Sequence, residues 1–357
     1  MPFINKKIWA TVLALFMLLS LSAGLAACQE LIPKEEKASP SETTSAAETE
    51  AEASSEEASE EASQEVKAPE SHKLKIAALT GPTALGLLEL MDDERYEIEI
   101  FGAPDAMIPA VVKGDFDIAC LPANLAAILN KKTEGKIEVI GLNTLNVLYL
   151  VANIEDEVKL GDLKGQKIYM SGKSGVPEYM LRLALESNGF TPEEIQLQFA
   201  AEHSETLKQL ISGEAQYALL PQPFLTIVQS KLPNLKVVAN LEDEISAPIV
   251  MGVYVAHAKA LQENEEAVST FLDDAAKSVE AVLADPAAAG EIAEKHEILK
   301  PAALVAKAIP HCGLVAIRDY DEIMIRLFGF YEALASFDPA SVGGEMPNRS
   351  LVHQFQD

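Results

Sequence analysis

One stretch of this 357-residue chain occurs twice: residues 106–129 align with residues 205–228 without a gap. In the first copy Val111-Val112-Lys113-Gly114-Asp115-Phe116-Asp117-Ile118-Ala119-Cys120-Leu121-Pro122 reads as the end of a helix, a turn, a short buried strand and a stop. In the second, Leu210-Ile211-Ser212-Gly213-Glu214-Ala215-Gln216-Tyr217-Ala218-Leu219-Leu220-Pro221 repeats it. Upstream, with small gaps, Lys75-Ile76-Ala77-Ala78-Leu79-Thr80-Gly81 matches Lys167-Ile168-Tyr169-Met170-Ser171-Gly172, and Phe101-Gly102-Ala103 matches Phe199-Ala200-Ala201. A repeat constrains a fold more than any single motif, because both copies must adopt one supersecondary unit. Each copy reads as strand, polar loop, helix, strand, polar loop, helix, strand, loop, a pattern that gives parallel strands with helices on their faces. The expectation is an α/β protein of two similar lobes with mostly parallel sheets.

Two apolar runs, Leu145-Asn146-Val147-Leu148-Tyr149-Leu150-Val151-Ala152 and Pro248-Ile249-Val250-Met251-Gly252-Val253-Tyr254-Val255-Ala256, follow the two copies and read as crossings between the lobes, a two-segment hinge. The first lobe is then 72–145 plus 252–357 and the second 146–251. Pro177 suits the first turn of a helix over 177–187, and Asn124 and Ser204 are expected as N-caps. Beyond 256, Val268, Phe271, Leu272, Ala275, Val279, Val282 and Leu283 follow the 3.6-residue period and predict one buried helical face stopped at Asp285-Pro286. A further helix is expected over 320–335, and this region is expected to complete the first lobe and brace the hinge.

In open α/β sheets ligands lie beyond the carboxyl ends of the strands. The repeat picks out the loops there: Thr80-Gly81-Pro82-Thr83, Gly102-Ala103-Pro104-Asp105 and Leu121-Pro122-Ala123-Asn124 in one copy. In the other they are Ser171-Gly172-Lys173-Ser174-Gly175, Ala201-Glu202-His203-Ser204 and Pro221-Gln222-Pro223-Phe224. Candidate ligand-binding residues are therefore Thr80, Gly81, Thr83, Asp105, Asn124, Ser171, Lys173, Ser174, Tyr179, His203, Gln222 and Phe224. The Ser171 and Ser174 hydroxyls, the glycine amides and the Lys173 ammonium before a helix start suit an anionic or strongly polar head group. Tyr179 and Phe224 either flank a flat ligand or simply pack. Only five Arg stand beyond residue 71 (Arg95, Arg182, Arg318, Arg326, Arg349), so a neutral hydrogen-bonding site is favoured over a guanidinium clamp.

Enzyme signatures fail on spacing. Gly172-Lys173-Ser174 needs a glycine at 167 to be a phosphate loop, and Lys167 stands there. Gly172-Lys173-Ser174-Gly175 lacks one residue of a nucleophile elbow. His203 beside Glu202 and Ser204 is a slight catalytic hint, outweighed by the reading of a helix-start histidine on a solvated loop. The six histidines form no close pair, so no metal is expected, and no cofactor is called for. Cys120 and Cys312 either pair or, as the favoured reading, are buried singly.

The amino terminus has a separate logic. Lys6 and Lys7, an apolar run over 8–19 and small residues ending at Ala27 have the order of an export signal, 1–27. Leu25-Ala26-Ala27-Cys28 resembles a bacterial lipoprotein box, which implies lipidation of Cys28 and two acyl chains, enough for stable anchoring. The alternative is one membrane-spanning anchor, since 8–25 is nearly long enough. Residues 29–71 hold 13 Glu against 3 Lys and no aromatic residue, a composition that cannot offset the entropy of ordering, so 28–71 is expected as an acidic tether. The formal net charge is −27, and residues 72–357 still carry −19, which argues against nucleic acid as partner.

The loops Thr80-Gly81-Pro82-Thr83, Leu121-Pro122-Ala123-Asn124 and Leu220-Pro221-Gln222-Pro223-Phe224, with the late Gly343-Gly344-Glu345-Met346-Pro347, resemble extracytoplasmic solute-binding lipoproteins of ABC importers. The group is the one serving nitrate, sulfonates, taurine and thiamine-pyrimidine precursors. The resemblance covers about 72–350 and implies a type II periplasmic-binding fold whose two lobes close on a small polar or anionic solute. It also implies a membrane permease and its ATPase as partners, a monomer, and an extracytoplasmic, lipid-anchored location. Two other classes stand beside it: a ligand-sensing lipoprotein for a membrane receptor, and an enzyme on the same fold such as a pyrimidine-precursor synthase. The cysteine-rich motif of that synthase has only Cys120 to match it here, and export removes such an enzyme from cytoplasmic substrates. A neighbouring permease and ATPase would favour import; a neighbouring kinase would favour sensing.

Overall fold

A computed structural model describes residues 73–356; the export signal, Cys28 and the acidic tether lie outside the described residues. The first copy of the repeat folds as β1 (Leu74–Leu79), α1 (Pro82–Leu85), β2 (Tyr96–Phe101), α2 (Pro104–Lys113), β3 (Ile118–Pro122) and α3 (Ala123–Lys132), followed by β4 (Ile137–Leu145). The second folds as β6 (Lys167–Met170), α4 (Val176–Ser187), β7 (Gln196–Phe199), α5 (His203–Ser212), β8 (Tyr217–Pro221) and α6 (Phe224–Gln229). It is preceded by β5 (Leu148–Ala152) and followed by β9 (Lys236–Asn240) and α7 (Leu241–Glu244). The chain closes with β10 (Val250–His257), α8 (Ala258–Ala284), α9 (Pro286–Lys295), α10 (Ala302–Ala308), β11 (Leu314–Ile317) and α11 (Tyr320–Phe337).

Two sheets result, ordered β2-β1-β3-β10-β4-β11 and β7-β6-β8-β5-β9. Their first five places correspond one to one. β1 and β6 lie between parallel partners, β2 and β3 or β7 and β8, as the repeat requires. The fourth strand of each sheet, β10 or β5, is the one that has just arrived from the other sheet. It runs antiparallel to both neighbours, β3 and β4 or β8 and β9. The expected two-lobed α/β fold is present, with most strands of each sheet sharing one direction and the inserted strand making the ladders mixed. The cause is topological. β4 and β9 leave toward the opposite sheet, so a strand entering from that side must run the other way.

Gly114 and Gly213 end α2 and α5 at φ 82° and 78°, the left-handed cap that lets each helix turn back into its strand. Neither Asn124 nor Ser204 caps a helix, contrary to the sequence reading: Pro122 and Glu202 hold those places, since the helices begin at Ala123 and His203. On α8, Val268, Phe271, Leu272, Ala275, Val279 and Val282 are buried as the period requires, but Leu283 is 42% exposed. One residue past Val282 turns it off the stripe. Phe271 meets Tyr96 and Tyr254 edge-on at 5.8 and 5.5 Å, and each such buried ring contributes about 1.5–3 kcal/mol of burial free energy. Cys120 and Cys312 are both buried and free.

The late helices brace the hinge. The Tyr331 hydroxyl of α11 donates to the Ala123 carbonyl of the first sheet's α3 at 2.8 Å, while Phe337 lies against Tyr179 of α4 at 6.4 Å. At the crossings, Asn146 Nδ2 donates to Asn240 Oδ1 at 2.6 Å, tying one connection to the other. Among the described residues no helix is long and apolar enough to cross a membrane.

Candidate functional site

The strand ends of the first sheet gather four small polar groups. Gly81 adopts φ 125°, a conformation that L side chains rarely adopt, and turns the chain from β1 into α1. Thr80 and Thr83 spend their hydroxyl protons on this turn, donating to the carbonyls of Phe101 at 3.3 Å and Leu79 at 2.8 Å. Asn124, second residue of α3, is only 2% exposed. Asp105 opens α2 and is exposed, outside this group.

The same end of β4 carries residues that the sequence reading passed over. Asn143 and Thr144 are 2% and 1% exposed. The Thr144 hydroxyl donates to Asn143 Oδ1 at 2.9 Å, while Asn143 Nδ2 has no hydrogen-bond partner. A Cβ on Gly252 would stand 2.3 Å from Asn143 Oδ1 and 3.1 Å from the Thr83 methyl, so glycine there makes the room that Asn143 fills. Gly252 pairs with Pro122 on one side and Thr144 on the other, which brings Thr83, Asn143 and the start of α3 to one spot. A signal was present: two polar residues in succession within an apolar strand require partners when buried.

In the second sheet Ser171, at the end of β6, is 3% exposed, and its hydroxyl lies 2.5 Å from His203 Nδ1. The His203 ring rests on Phe224 with centroids 5.3 Å apart. Its place at a helix start is as expected, but the ring is enclosed and not on a solvated loop. His203 is the first residue of α5 and is enclosed enough that burial lowers its pKa to about 4. The imidazole is therefore neutral at pH 7, with its second nitrogen available to donate or accept according to tautomer. Gln222, 4% exposed, turns Oε1 toward Thr226, accepting from its amide at 3.2 Å and its hydroxyl at 2.9 Å.

The other expected site residues of this sheet have contacts of their own. Tyr179 is buried against Phe337, and burial raises its phenol above the ordinary value. Ser174 and Lys173 are exposed. The Ser174 amide donates to Glu178 Oε2 at 2.8 Å, and the Lys173 ammonium lies 5.8 Å from the centre of the Phe199 ring. An amide of the loop expected to hold an anion thus already holds a carboxylate of the helix that follows, which Arg182 also engages at 2.9 Å. At the next loop Ala201 donates its amide to Glu205 at 3.0 Å. Among the described residues no group of three or more His, Cys, Asp or Glu side chains is placed to hold a metal ion.

The arrangement is two sets of strand ends, one in each sheet, bearing uncharged amides, hydroxyls and one neutral imidazole. Solved structures of similar fold include an ABC transporter protein from Parabacteroides distasonis, at TM-score 0.69 and 22% identity over 80% of this chain and 99% of that one. The periplasmic aliphatic sulphonate binding protein SsuA from Escherichia coli matches at TM-score 0.65 and 16% identity, over 79% and 92%. The alkanesulfonate-binding protein SsuA from Xanthomonas axonopodis pv. citri, bound to MOPS, matches at 0.60 and 16%, over 78% and 96%. These likenesses show a shared two-lobed periplasmic-binding fold. No curated protein matches the sequence. The family model described as NMT1/THI5 like matches residues 97–289, more than half of the chain, and the chain belongs to that family.

Proposed function

We propose that the chain is the solute-binding component of an ABC importer, exported and held at the outer face of the cell membrane by lipid on Cys28. Residues 1–27 are the signal and 28–71 the tether. Residues 72–145 with 252–357 form one lobe and 146–251 the other. A small polar solute is held between them by residues drawn from Thr80, Gly81, Thr83, Asn124, Ser171, His203, Gln222 and Phe224, and then passed to a permease driven by its ATPase. The observation that supports this reading is the pair of sheets, one of six strands and one of five, whose first five places correspond and whose strand ends each carry buried uncharged polar groups. Solute binding favours the closed form by its greater affinity for that form.

The Ser171–His203 contact is the one feature that favours an enzyme. An imidazole with a pKa near 4 is a poor general base at neutral pH, and no carboxylate among the described residues bonds the ring to orient it. We therefore read the pair as a binding element. Affinity capture of the full-length chain from detergent-solubilised membranes of its own cell tests the transport role. Recovery of a permease with its ATPase is the expected result, and recovery of a receptor kinase in their place would support sensing and contradict import.

A further inference from the structure

Asn143 sits where β1, β3 and β4 end together, with its amide seated between Thr144 and Gly252. Oδ1 accepts the Thr144 proton at 2.9 Å and occupies the space left by Gly252, whose absent Cβ would be 2.3 Å away. Nδ2 is thereby left with two protons and no acceptor in the protein, on a residue 2% exposed. Buried amide donors are nearly always satisfied, so this one awaits an acceptor from outside the chain.

The corresponding loops of the second sheet restrict what that acceptor can belong to. Two helix starts there are already supplied with negative charge, Glu178 on the Ser174 amide at 2.8 Å and Glu205 on the Ala201 amide at 3.0 Å. A third carboxylate, Glu202, accepts from Ser204 at 3.1 Å. Arg182 is paired with Glu178, and the Lys173 ammonium lies over the Phe199 ring. His203, bonded to Ser171, is uncharged at neutral pH. These helix starts thus carry three carboxylates, one of them paired with Arg182, and no free buried cation among the described residues, a setting that disfavours an anion.

We infer that the solute is an uncharged molecule bearing hydrogen-bond acceptors, and that the Asn143 amide grips one of them. The inference rests on the solute-binding reading and narrows it, since the sulfonates named for the similar structures are anions. Isosteric pairs that differ in charge test it: nicotinamide against nicotinate and benzenesulfonamide against benzenesulfonate, with nitrate and ethanesulfonate added, titrated calorimetrically into the full-length chain. The expected result is tighter binding of the neutral member of a pair by about tenfold or more, the worth of one well-made hydrogen bond or one avoided repulsion.

Asn143→Ala is expected to weaken that binding about tenfold, and Asn143→Asp, which keeps the shape and removes the donor, to do the same. The thermal midpoint of each unliganded variant checks that it is folded. Tighter binding of the anions would overturn the inference while leaving solute binding intact. So would unchanged affinity in both variants, which would assign Nδ2 to a buried water. Failure of every probe to bind would remove the solute-binding reading with it.

Discussion

His203 remains neutral because the ring is enclosed, with Ser171 on one nitrogen and Phe224 against its face. Burial lowers its pKa from 6.5 to about 4, so between those values the unfolded chain takes up a proton that the folded chain refuses. Its contribution to stability is fully present above pH 6.5 and is lost as pH falls toward 4. Urea unfolding of wild type and His203→Asn across that range is expected to show a steeper loss in the wild type. Gly252→Ala is expected to cost about 1–3 kcal/mol in the same assay, because the new methyl meets Asn143 Oδ1. Ser171, Gln222, Asn124 and Phe224 were legible in the sequence because each follows a repeated strand. Asn143 was not, because its strand lies outside the aligned copies and its partner Gly252 is more than a hundred residues away in the chain. Nor could the sequence show that Glu178 turns back onto Ser174, which requires the left-handed backbone at Ser174, φ 56°.

At the scale of elements, the repeat made the strand-helix units of both sheets readable down to the capping glycines. Those glycines can be told apart by what surrounds them. Gly213→Ala meets nothing within 4 Å and is expected to cost about 1 kcal/mol, the strain of a left-handed alanine. Gly114→Ala adds a contact of 3.2 Å with the His257 ring and is expected to cost more, as paired denaturant curves would show. The antiparallel strand inside each sheet was not legible, because β5 and β10 are separated in sequence from the strands they join and only the crossing places them there. The N-caps were misread for a local reason: Asn124 and Ser204 suit a cap by chemistry, but the extended backbone of Pro122 and Glu202 starts each helix earlier.

At the scale of the whole molecule, the proposed function needs an exported, anchored amino terminus ahead of the two-lobed body. Cys28→Ala is expected to abolish incorporation of labelled palmitate and to release the protein from the membrane fraction; labelling that persists in the variant would contradict lipidation at that residue. The central claim concerns the body, and thermal unfolding of the full-length chain against nitrate, sulfonates, pyrimidine precursors, flavins and small neutral amides tests it most directly. A bound solute present at 100 times its dissociation constant adds about 2.7 kcal/mol, so the account expects a saturable rise in midpoint with one chemical class, the solute being recovered unchanged. A flat response to every class, or conversion of the solute to product, would contradict it.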